Sequence, residues 1–133
     1  MSISTASVLK DGTVSATGGT ATSLKTKGQD LGKISCIFDD GSEFINQSTV
    51  LFQATDPKVK TNTPNGYTQA RSVATIHVPL VLDNGNTTKN SLSITLSVDH
   101  ESTDAEVETM LVYGAQLLSD SDFSDFWKKQ LVD

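Results

Sequence analysis

The chain has 133 residues, a hydrophobic fraction of 36%, an aromatic fraction of 6% and a formal net charge of −6. That length fits one domain, the thin apolar content points to half-exposed strands with some apolar surface left for another chain, and the negative charge argues against indiscriminate nucleic-acid binding. A single cysteine, Cys36, excludes an intrachain disulfide, and Cys36, His77 and His100 lack the spacing of a zinc site. The stretch Met1–Ser7 has neither the basic region nor the apolar run of a signal peptide, and no segment has the apolar length of a membrane helix, so a soluble protein of a reducing compartment is expected.

The charge is unevenly spread. Residues 1–98 hold eight basic and seven acidic side chains, whereas residues 99–133 hold nine acids against Lys128 and Lys129. The acids fit a solvated helix face, or one of two unlike faces of which only the other tolerates a polyanion.

In chain order, Val8 and Leu9, then Lys10-Asp11-Gly12, then Thr13-Val14-Ser15 predict an N-terminal β-hairpin, because Gly accepts positive φ in a tight turn. Residues 17–32 are rich in Gly and Thr and show no clear register. Strands are predicted at Lys33–Phe38, ended by Asp39-Asp40-Gly41, and at Gln47–Thr55, ended by Asp56-Pro57. The connection Lys58–Tyr67, with Pro64 and Asn65-Gly66, is a loop.

Arg71–Leu82 is the longest strand, with Ala74, Ile76, Val78, Leu80 and Leu82 on one face and Arg71, Val73, Thr75, His77, Pro79 and Val81 on the other. Pro79 asks for an edge position or a strand end. Asp83–Asn90 is an exposed loop around Asn84-Gly85. The last strand, Ser91–Asp99, alternates Leu92, Ile94, Leu96 and Val98 with Ser91, Ser93, Thr95, Ser97 and Asp99.

The period then changes. Thr103-Asp104-Ala105-Glu106 matches a capping box, and Val107, Met110, Leu111, Gly114, Leu117 and Leu118 recur at helical spacing. Ser121 is placed to cap a second helix in which Phe123, Phe126, Trp127 and Leu131 cluster. Strands first and helices last make an α+β fold: a single domain, 1–133, with a hairpin and antiparallel sheet of about five strands over 1–99 and a two-helix tail over 103–131. The short hinge His100-Glu101-Ser102 permits the tail to cover its own sheet or a second subunit's, the latter giving an interlocked dimer.

No residue pattern makes a catalytic centre. Cys36 falls on the apolar face and packs as a small hydrophobe, His100 is a junction residue, and His77 is either a surface histidine or a nucleic-acid contact. Phosphate loops, metal motifs and nucleophile elbows are lacking, and no cofactor is implied. Asn46-Gln47-Ser48 and Asn86-Thr87-Thr88 match glycosylation acceptors but lack a secretion signal beside them. The polar sheet face is the stronger candidate: its hydroxyls and amides suit bases and sugars, and Lys33, Lys58, Lys60 and Arg71 suit phosphates, although only His77 and Tyr67 offer stacking. An ordinary solvated sheet face has the same composition.

From Ser91 through Glu106 and on to Leu118, the sequence Ser-Leu-Ser-Ile-Thr-Leu-Ser-Val-Asp-His-Glu-Ser-Thr-Asp-Ala-Glu and its helix resemble coat proteins of single-stranded RNA bacteriophages, the leviviruses. The resemblance is residue by residue over about 91–131, and one of length and element order over nearly the whole chain. It implies an interlocked dimer that assembles into an icosahedral shell in the host cytoplasm, with the sheet toward single-stranded genomic RNA and the helices outward. It implies RNA contacts at Lys33, Gln53, Thr55, Lys58, Lys60, Arg71, Thr75, His77 and Thr95, and in many relatives an RNA hairpin is bound to repress translation. It implies dimer contacts at Met110, Leu111, Leu117, Leu118, Phe123, Phe126 and Trp127, and inter-dimer contacts from the loop Asp83, Asn84, Gly85, Asn86, Thr87, Thr88, Lys89 and Asn90. The chain departs from relatives that pair cysteines in that loop, and its basic cluster is reduced to Lys58 and Lys60. The other class open to the sequence is a small non-enzymatic carbohydrate- or protein-binding β-module.

Overall fold

The computed structural model describes residues 5–14, 16, 18–19, 21–39, 41, 43 and 46–131. It divides into two compact units: residues 19–100, and residues 1–18 together with 101–133.

The first unit is a five-stranded antiparallel meander, β1 (Ser23–Asp30), β2 (Lys33–Asp39), β3 (Thr49–Thr55), β4 (Ala70–Val81) and β5 (Thr87–Val98), in the spatial order β1-β2-β3-β4-β5. Every neighbour in space is a neighbour in sequence, so each pairing needs only a hairpin connection. β3 ends at Thr55 where Asp56-Pro57 was expected to stop it. Alternate residues of β2, β3 and β4 line the apolar face, and there Cys36 and Val50 are directly opposite and buried.

Three expectations need correction. Residues 17–32 do contain a strand, β1, whose sequence Ser-Leu-Lys-Thr-Lys-Gly-Gln-Asp hides it because both faces are exposed and no apolar alternation is required. β5 begins at Thr87 rather than Ser91, since Thr87, Thr88, Lys89 and Asn90 pair with Val81, Leu80, Pro79 and Val78. The connecting loop is therefore only Leu82–Asn86, closed by bonds from Leu82 N–H to the Asn86 carbonyl (2.7 Å) and from Gly85 N–H to the Leu82 carbonyl (2.9 Å). Pro79 is tolerated because β3 pairing ends at Thr49–His77, so β4 has a neighbour on one side only at that point.

The third correction concerns the N-terminal hairpin. The turn is present: Asp11 has φ 59° and Gly12 N–H reaches the Leu9 carbonyl at 3.4 Å. The described residues on either side form no strand pair, and Ser15 lies outside the described residues. Gln116 occupies the backbone groups that a partner strand would use: Leu9 N–H donates to its Oε1 (2.6 Å) and its Nε2 donates to the Leu9 carbonyl (2.8 Å).

That bond pair belongs to the second unit, built around α1 (Asp104–Ser119) and α2 (Ser124–Lys129). Thr103 caps α1 as expected, its Oγ1 accepting from Glu106 N–H at 3.3 Å, while the Glu106 carboxylate accepts from the Thr103 hydroxyl at 3.1 Å. α2 is preceded by a single 3-10 turn, Ser121–Phe123, whose capping residue is Asp120 rather than Ser121: the Asp120 carboxylate accepts from Asp122 N–H at 3.0 Å. Trp127 ties the two helices, donating from Nε1 to the Leu117 carbonyl at 2.7 Å. α2 ends at Gln130, in the left-handed region at φ 58°.

Candidate functional site

Strand register decides which side chains share a face. Lys33, Gln53, Val73 and Thr95 form one rung across β2–β5. Ser35, Leu51, Thr75 and Ser93 form the next, and Ile37, Thr49, His77 and Ser91 the one beyond. Thr55, Arg71 and Ser97 form a rung on the other side of the first. Rungs on one face are about 7 Å apart, and neighbouring strands about 4.8 Å. Seven of the nine expected RNA contacts, Lys33, Gln53, Thr55, Arg71, Thr75, His77 and Thr95, therefore stand on one continuous surface.

The surface is partly organised by its own bonds. His77 Nδ1 and Ser91 Oγ share a hydrogen bond of 2.8 Å, which leaves Nε2 as a further donor or acceptor. The Ser93 hydroxyl donates to Thr75 Oγ1 at 3.4 Å. Among the described residues, neither Lys33 nor Arg71 has an ion-pair partner, whereas Lys25 on β1 is bound to Asp39 at 3.0 Å. A free guanidinium and a free ammonium on a hydroxyl-rich sheet suit phosphate and sugar contacts. Ser35, Thr49, Ser91, Ser93 and Ser97 belong to the same surface and were not singled out from the sequence, although the strand period already placed the β5 serines beside Thr95.

Lys58 and Lys60 are not brought onto this face by strand pairing. They sit on the β3–β4 connection, which is an ordered structure rather than a bare loop: Val59 bridges Tyr67, and Lys60 N–H donates to the Gly66 carbonyl at 2.8 Å. Thr63 Oγ1 is shared between the carbonyls of Lys60 and Tyr67. Asn65 Nδ2 donates to Asp99, and the Tyr67 ring meets His100 edge to face with centroids 4.6 Å apart. Tyr67, expected near the polar face as a stacking group, is thus engaged at the strand end.

The expected dimer contacts divide differently. Met110, Leu111, Leu117, Leu118, Phe126 and Trp127 are all exposed. On α1, Met110, Leu111, Leu117 and Leu118 form one stripe around Gly114, against which nothing packs within 4 Å of a side-chain position. Phe123, at 8% exposure, is the buried residue of the 3-10 turn.

The two sheet edges also differ. β5 keeps an unbroken register over twelve residues and is exposed from Thr87 to Thr95. β1 is interrupted by a bulge between Thr26 and Gly28 and carries Lys25 and Lys27, features that protect an edge from pairing. Among the described residues no cluster of His, Cys, Asp and Glu has the geometry of a metal site.

No family model matches the sequence, and no curated protein does. Solved structures do. A virus-like particle of bacteriophage GQ-907 matches with a TM-score of 0.88 and 25% identity over 99% of this chain and 100% of that one. A virus-like particle of bacteriophage AVE019 matches at 0.68 and 14% identity over 88% and 92% of the two chains. A virus-like particle of Wenzhou levi-like virus 1 matches at 0.53 and 12% identity over 80% and 89%. The five-stranded meander followed by two helices is the levivirus coat-protein fold, and this chain carries it over nearly its whole length.

Proposed function

We propose that this chain is a capsid coat protein that dimerises, assembles into a closed shell and encloses single-stranded RNA in a virion. The observation that carries the reading is the end-to-end match to the subunit of a phage virus-like particle. That match supports a structural role.

Physical features support the steps. β5 is the edge free to pair, so two copies join there into a ten-stranded sheet, while the bulge and lysines of β1 block the other edge. The exposed apolar side chains of residues 103–131 then bury against the second copy. The seven of them, Met110, Leu111, Leu117, Leu118, Phe126, Trp127 and Leu131, are already about half buried, so each adds about half of the roughly 1.5–3 kcal/mol of full burial, on the order of 5–10 kcal/mol together, comparable to the roughly 4–15 kcal/mol lost on association. Neither surface alone is comfortably sufficient, which is why the dimer uses both.

The polar face with Lys33, Arg71 and His77 is the surface that meets the RNA. Contacts of this kind hold RNA through phosphates and sugars; recognition of one hairpin asks for base-specific contacts in addition. A monomeric carbohydrate- or protein-binding module has no use for an exposed β5 edge together with an exposed helical stripe. Size-exclusion chromatography with light scattering tests the reading: dimers and far larger assemblies are expected, and a monomer at every concentration refutes it.

A further inference from the structure

The turn between β1 and β2 consists of Leu31 and Gly32 alone, since Asp30 pairs directly with Lys33. Gly32 is required there. Its φ is +73°, and a Cβ would lie 2.8 Å from the Ala54 carbonyl oxygen. Position 31 carries no such demand, and polar residues or Pro are the usual occupants of a turn. It holds a leucine that is 97% exposed.

The backbone that carries the leucine is pinned. Asp30 Oδ1 accepts from Leu31 N–H at 2.7 Å, and the Gly32 carbonyl accepts from Ala54 N–H at 2.8 Å, pinning the tip to β3. At the same end of the sheet the chain leaving β3 presents Val59, another exposed aliphatic residue. An apolar side chain on a pinned backbone loses only its own rotamer freedom when a neighbour buries it.

Its place in the sheet says which neighbour. β1 and β5 are the two ends of the strand order. With β5 as the dimer seam, the β1–β2 turn is about 20 Å from that seam, four strand spacings away. It forms an outer corner of the dimer, out of reach of the seam itself. We infer that Leu31 is a contact between neighbouring dimers, buried by another copy of this chain when the shell closes. The inference rests on the coat-protein reading and adds to it an assembly contact outside the Leu82–Asn86 loop.

Two measurements test it. Dimers of Leu31→Ser and Leu31→Met are compared with the wild type by light scattering as concentration rises. The serine variant is expected to remain a dimer and to need about tenfold more protein to assemble, with the methionine variant close to wild type. In parallel, Leu31→Cys is labelled with a polar maleimide, Cys36 being buried. The new thiol is expected to react in dimers and to be protected in particles, including particles emptied of RNA. Assembly of the serine variant at wild-type concentration, or equal labelling of dimers and particles, overturns the inference. Protection that disappears when RNA is removed assigns Leu31 to nucleic acid and overturns it as well. Failure of the wild type itself to form dimers and particles would instead refute the coat-protein reading.

Discussion

The Gln116 side chain closes two hydrogen bonds on the backbone of Leu9, one to its N–H and one to its carbonyl, across 107 residues of sequence. Gln116 is the one buried polar side chain among the described residues, and these bonds give it partners for both its oxygen and its nitrogen. Gln116→Ala should remove both bonds, at about 0.5–1.5 kcal/mol each, and destabilise the chain by about 1–3 kcal/mol. Chemical denaturation measures the loss, and limited trypsin digestion should show faster cleavage after Lys10. Unchanged stability and unchanged cleavage would show that the segment is held by something else.

Gly32→Ala should destabilise the sheet by more than about 1 kcal/mol, because the residue combines φ +73° with a backbone oxygen where Cβ would stand. Gly85→Ala is the control: its φ of +85° is similar, but nothing lies within 4 Å of the added carbon. Thermal unfolding of the two variants should rank Gly32→Ala well below Gly85→Ala.

The contrast between these positions bears on what the sequence could reveal. β2 to β5 were legible because one face of each strand needs apolar residues, and α1 because its stripe and its Thr103 cap agree. β1 was not, since an edge strand exposed on both faces selects no period. The β5 extension was missed for a related reason: Thr87-Thr88-Lys89-Asn90 has no apolar alternation and becomes a strand only because Val78–Val81 lies opposite. The Leu9–Gln116 pair has no local signature at all, being a bond between residues far apart in sequence. Seven of the nine expected RNA contacts share a face because parity within each strand was readable and antiparallel register preserves it. Lys58 and Lys60 lay on a connection, where parity says nothing.

Arg71 stands on that polar face beside Thr55 and Ser97 with no ion pair of its own among the described residues. Arg71→Ala should leave the dimer intact and lower RNA retention. The slope of log affinity against log salt should become shallower by about one. Absorbance ratios of purified particles and nucleic-acid binding at several salt concentrations check this. Identical slopes for variant and wild type would remove Arg71 from the RNA surface.

Trp127 is half exposed while its indole N–H is bonded to the Leu117 carbonyl, so it has both an internal role and an apolar face to offer. Trp127→Phe should keep most of the apolar area and lose the bond, costing about 1 kcal/mol in stability. Trp127→Ala should in addition weaken the dimer by about 2 kcal/mol or more, as loss of a large aromatic anchor does. Sedimentation over a concentration series separates the two. Equal dimer affinity for Trp127→Ala and wild type would place Trp127 outside the interface.

Electron microscopy of the protein expressed on its own tests the central claim most directly. The account predicts closed isometric particles built from many copies of the 14.2 kDa chain, with nucleic acid inside. A field without particles, from material that runs as a folded monomer, would contradict it.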